Sequence, residues 1–213
     1  MAEYGDATLI KQKSGVSAND IEGVSNQTDL DAMILDLNQR ASEAVERFCN
    51  RDFKDHPDET VEIDGNGRVN DSENGELKLP GQPVRSISSI EINGSAIDSS
   101  EYRLKEPTAY DTDTPMNAGI VERKNTPFPE GWENVKVTFT WGFQTPPAGV
   151  QHTVEDLVVD ALRASSRNAS AETAESVSMD GFSVTYFTGQ IDREQKHKDR
   201  LNKYRRIALG RSG

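Results

Sequence analysis

The sequence predicts an α+β fold: a helical body of about three helices, with an antiparallel β-rich subdomain inserted into it and a long C-terminal helix. Three observations carry this expectation. Residues 29–50 and 149–166 place apolar side chains three and four apart, the period of a helix with one buried face. The stretch between them alternates apolar and polar residues and is broken by Asp-Gly and Asn-Gly pairs, which are strand and turn signals. The last segment is basic and helix-forming, on a chain that is otherwise acidic.

Taken in order, residues 1–27 are polar and without period, and are expected to be a flexible N-terminal arm that orders on a partner. A core follows over 28–166. Its first helix carries Leu30, Met33, Ile34, Leu37, Ala41, Ala44, Val45 and Phe48, and Thr28 with Asp31 resembles a capping box. The β insertion is expected at about 58–143. Thr60–Ile63 and Glu76–Leu79 read as short strands, with hairpin signals at Asp64-Gly65 and Asn66-Gly67. A strand beginning at Val84 changes parity between Ile87 and Ile90, which predicts a bulge near Ser88-Ser89, and Asn93-Gly94 turns it. Tyr102–Leu104 and Gly119–Arg123 are further short strands. Val135, Val137, Phe139 and Trp141 alternate with Lys136, Thr138 and Thr140 in the clearest strand. After Pro146-Pro147, the second helix shows Val150, Val154, Leu157, Val158, Ala161 and Leu162. Residues 167–213 are expected to be a linker, a short hairpin arm at Phe182, Val184 and Tyr186, and a basic helix over about 192–209. That helix has few apolar positions (Leu201, Tyr204, Ile207 and Ala208), so a partner surface is expected to hold it.

Only 34% of residues are apolar and 28% are charged, and the formal net charge is -12. Residues 191–213 hold eight Lys and Arg against three Asp and Glu, a net of +5; the first 190 residues therefore carry -17, the two making up -12. So acidic a body argues against wrapping nucleic acid, which needs a basic face. The basic segment reads either as a partner-binding asymmetry or as a solvated helix. The acidity also fits a protein from a high-salt source, where screening removes self-repulsion.

Catalytic and metal chemistry leave no recognisable pattern. His56, His152 and His197 are far apart and are read as surface or helix-face residues. No phosphate-binding loop or nucleophile elbow occurs, and the acidic run at Asp64–Glu73 fails the spacing of a calcium loop. No cofactor and no enzyme activity are expected. Cys49 is the sole cysteine and is read as a small buried hydrophobe. Trp132 and Trp141 are read as core or interface anchors. With no apolar run of membrane-spanning length and no signal-peptide pattern, synthesis and use in a cytoplasm-like compartment are expected, with no membrane contact.

Leu79-Pro80-Gly81-Gln82-Pro83-Val84-Arg85-Ser86-Ile87-Ser88-Ser89-Ile90, followed by Tyr102-Arg103-Leu104, resembles a run found in tailed-phage head–tail connector (adaptor) proteins. Val135–Phe143 followed by Pro146-Pro147 and a helix is similar to a later segment of those proteins, and Glu46–Phe53 to the end of their first helix. The similarity spans roughly residues 29–165 and rests on the order and spacing of these pieces. The resemblance implies a virion protein at the head–tail junction, a twelve-fold homo-oligomeric ring joined to the portal protein and to the next head-closure, stopper or tail protein. Double-stranded DNA would pass through such a ring without specific binding. The resemblance also implies that the C-terminal segment docks on the portal, which marks Arg193, Lys196, Lys198, Arg200, Leu201, Lys203, Tyr204, Arg205, Arg206 and Ile207 as interface candidates. The competing readings are a stopper or tail-completion protein of the same neck, a virus-encoded hydrolase with a carboxylate pair, and a soluble acidic binding module.

Overall fold

Helix signals at the two ends of the sequence and strand signals in its middle lead to two compact units, Met1–Asp52 with Pro146–Gly213, and Phe53–Thr145. The computed structural model describes residues 3–65, 76–105, 119–124, 126–166 and 184–205 of the 213.

The first unit is helical. In place of the arm expected over residues 1–27, the chain forms α1 (Ala7–Ser14), capped by the Asp6 carboxylate, which accepts from the Thr8 and Leu9 amides. Gly15 closes it in the left-handed conformation, φ 66°. Tyr4, Ile10 and Ile21 are buried. The segment was misjudged because its anchors are polar and long-range. Asn38 donates to the Gly5 carbonyl and accepts from its amide, Lys13 pairs at 2.5 Å with Glu155, and Arg163 donates to the Lys13 carbonyl. Glu155 is only 2% exposed, so burying its charge requires such a partner.

α2 (Gln27–Cys49) starts one residue before the expected box, with the Asn26 side chain capping the Asp29 amide, and ends at Asn50 in the left-handed region. Its expected apolar stripe is buried from Leu30 to Val45. α3 (Ala148–Ser165) buries the six residues anticipated for it. α2 packs on α3, and α1 packs on both.

The C-terminal part departs from expectation. Val184 and Tyr186 lie in a helix, α4 (Val184–Arg193), and not in a hairpin arm; Phe182 is outside the described residues. Phe187 and Ile191, four apart, are both 0% exposed and supply a helical stripe that outweighs a three-residue alternation. Among the described residues there is no single long C-terminal helix either. Glu194 adopts extended dihedrals (φ -96°, ψ 110°), which separates α4 from α5 (Gln195–Leu201), and a 3-10 turn follows at Asn202–Tyr204.

The second unit holds β1 (Asp55–Gly65), β2 (Glu76–Lys78), β3 (Val84–Ile92), β4 (Ser95–Ala96), β5 (Tyr102–Leu104), β6 (Ile120–Arg123) and β7 (Gly131–Gly142). All pairings are antiparallel, in two sheets ordered β1-β7-β3-β4 and β2-β6-β5. β1 and β2 therefore lie in different sheets, and β1 takes its partner from β7 rather than from its neighbour in sequence. Register slips between Ile87 and Ser89, where the bulge was expected, so Ile87 faces Phe139 and Ile90 faces Val137. Asn93 and Gly94 have φ of 51° and 79°, the paired positive dihedrals of a tight hairpin turn. The core joins Val84, Ile90, Val135, Val137 and Phe139 of the larger sheet with Leu77, Tyr102 and Val121 of the smaller one, plus Leu79 and Phe128.

Gly142 has φ 85°, and a Cβ there would lie 2.0 Å from the Lys54 carbonyl oxygen. Gly142→Ala is therefore expected to cost about 1–3 kcal/mol for the left-handed backbone alone. The clash with a main-chain atom adds to that, and chemical denaturation would measure the loss.

A second expectation concerns acid. Glu122 on the central strand of the smaller sheet is 5% exposed, with Arg103 at 2.7 Å and Lys105 at 3.3 Å. Arg103 first, and Lys105 with it, hold its carboxyl below the ordinary 4.5. Its contribution to stability is thus present above pH 4.5 and is lost as pH falls through the depressed folded value. Melting temperatures of the wild type and Glu122→Gln should differ at neutral pH and converge in acid.

Candidate functional site

The basic C-terminal segment turns a mixed surface outward because of its spacing. His197, Leu201 and Tyr204, at i, i+4 and i+7, are 0%, 0% and 3% exposed and form its inner face. α5 packs on α3, and α4 on α2. The Leu201 carbonyl lies 3.9 Å from the Cys49 Sγ. Burial pushes the Cys49 thiol up to about 12, so it serves as an inert core residue, as its sequence context indicated.

Arg193, Lys196, Lys203 and Arg205 are exposed. The Lys203 ammonium lies 5.1 Å from the Tyr204 ring centroid, and the Arg205 guanidinium 5.4 Å from that of Phe48. Lys198 and Arg200 are half-buried, and Arg200 pairs with Asp156 of α3 at 2.7 Å. Leu201 and Tyr204, anticipated at an interface, belong to this unit's own core. Arg206 and Ile207 lie outside the described residues.

Beside this surface lies a group that the sequence reading missed. Asp160 of α3, Glu194 and His197 bring one potential ligand atom each within 4.8 Å of one another. The spacing Glu194-x-x-His197 was the available signal, but His197 was read as an ordinary helix-face residue. Its imidazole is fully buried, and burial lowers its pKa. Burial likewise raises that of the Asp160 carboxyl. The other histidines do not join it: His56 stacks on Trp141 at 3.7 Å, and His152 is a surface neighbour of Glu155. Trp132, at 83% exposure, is no core anchor. No described helix is long and apolar enough to cross a membrane.

No curated protein matches the chain. Residues 22–207 match the family described as head completion protein. The match runs from just before α2 to beyond the 3-10 turn, so it takes in both units and the basic segment. The chain therefore belongs to the head completion protein family, a structural family of the phage head–neck junction.

Proposed function

We propose that the chain is a non-enzymatic head-to-tail adaptor, a ring of identical copies that joins the portal to the next connector and lets the genome pass. The observation that carries this reading is the outward face of the C-terminal segment. Arg193, Lys196, Lys203 and Arg205 are exposed cations on a chain of net charge -12. Such a face is electrostatically distinct from the rest of the molecule and suits an acidic docking surface on a partner ring. The acidic remainder repels phosphate, which favours passage of DNA over binding. Identical head-to-tail contacts close into a ring when the rotation per copy closes.

Co-sedimentation of the purified chain with its virus's portal ring tests the proposal. A stoichiometric complex is expected. Binding only to a preformed portal–adaptor assembly would move the protein one step down the neck, as a stopper. Binding to neither would overturn the neck assignment of this surface.

A high-salt source belongs to the same proposal, on the strength of the net charge. Dilution to low salt should then lower the melting temperature, since unscreened self-repulsion opposes the compact state. A melt that is flat or rises on dilution would contradict it.

A further inference from the structure

We infer that Asp160 on α3 and the Glu194-x-x-His197 pair at the start of α5 form a binding site for one divalent transition-metal cation. Spacing of three residues sets Glu194 and His197 on one side of the chain, and Asp160 arrives from a separate helix. The three donor atoms lie within 4.8 Å of one another. His197 Nε2 and Glu194 Oε2 are 3.2 Å apart. Two ligands at about 2.0–2.1 Å from a tetrahedral ion are separated by roughly 3.3 Å, so this pair already has the spacing of neighbouring ligands.

The second observation is independent of the carboxylates. His197 is 0% exposed, and neither ring nitrogen has a hydrogen-bond partner among the described residues. Nε2 is close to Glu194, but the alignment is not that of a hydrogen bond. A buried imidazole left without a partner is costly, and a metal ion would satisfy it.

One nitrogen and two carboxylates suit Zn²⁺ or Mn²⁺ better than Ca²⁺ or Mg²⁺, which prefer all-oxygen shells. One group competes with the ion: Lys196 Nζ is 2.9 Å from the same Glu194 Oε2. A bound cation would displace that ammonium. It would also tie α5 to α3 and fix the segment that carries the exposed cations. The site rests on the geometry of the helical unit and does not depend on the neck role.

Titration calorimetry of the full chain with Zn²⁺ alone, in a non-coordinating buffer, tests the inference. One equivalent is expected to bind the wild type. Glu194→Gln and Asp160→Asn should each weaken binding at least about tenfold, since even loss of an outer-shell partner has that effect. Both side chains are partly solvent-exposed, and circular dichroism of the variants checks that the fold is kept. Lys196→Met should bind more tightly than the wild type, which a purely structural role for these residues would not produce. Absence of saturable binding in both the wild type and Lys196→Met would overturn the site, as would binding unchanged by Glu194→Gln.

Discussion

A chain carrying Arg193→Glu, Lys203→Glu and Arg205→Glu is expected to lose portal binding by about 1,000-fold or more, roughly 4 kcal/mol, while keeping its fold. Reversal replaces attraction by like-charge contact at three places, and like-charge contacts at an interface cost several kcal/mol. All three side chains are exposed, so the stability cost should be small, about 0.5 kcal/mol at Arg193 and up to about 1 kcal/mol at Lys203 and Arg205, which also lose their contacts with the Tyr204 and Phe48 rings. Sedimentation with the portal measures the first effect and a denaturant melt the second. Truncation of the segment would be a poorer experiment. It would also remove Ile191, His197, Leu201 and Tyr204 from the core of the helical unit, and so would confound docking with unfolding.

Leu201→Ala is expected to destabilise the isolated chain by about 2–5 kcal/mol, the cost of a large-to-small change at a fully buried site. A helix that waits for a partner would lose almost nothing from the same change. Equilibrium unfolding of the chain alone therefore separates a segment integrated into its own unit from one ordered by assembly.

Those two expectations mark where the sequence was legible and where it was not. α2 and α3 were readable because each repeats aliphatic side chains over several turns. The bulge in β3 was readable because a change of parity has few other causes. β1 was predicted at four residues and runs from Asp55 to Gly65, because its exposed positions are acidic and weaken the alternation. Its pairing with β7 joins residues some eighty positions apart, as between Thr60 and Thr138, which no local pattern encodes. α1 is held by side-chain bonds from Asn38, Glu155 and Arg163, so polarity there disguised order.

His197 had the largest consequence. Counted as polar, it left the predicted helix with Leu201, Tyr204, Ile207 and Ala208, all in its C-terminal half. Counted as buried, it completes a stripe of three over two turns. The sequence marks the basic residues as a group but cannot divide them. The fold turns Leu201 and Tyr204 inward, ties Arg200 to Asp156, and leaves Arg193, Lys196, Lys203 and Arg205 outside.

The most direct test of the central claim is zero-length amine-to-carboxyl cross-linking of the chain to its portal ring, read by mass spectrometry. Inter-protein links are expected to concentrate on Lys196, Lys198 and Lys203, paired with portal Asp and Glu. Links concentrated instead on Lys54, Lys78, Lys105 and Lys136 would contradict this docking face and move it to the β unit.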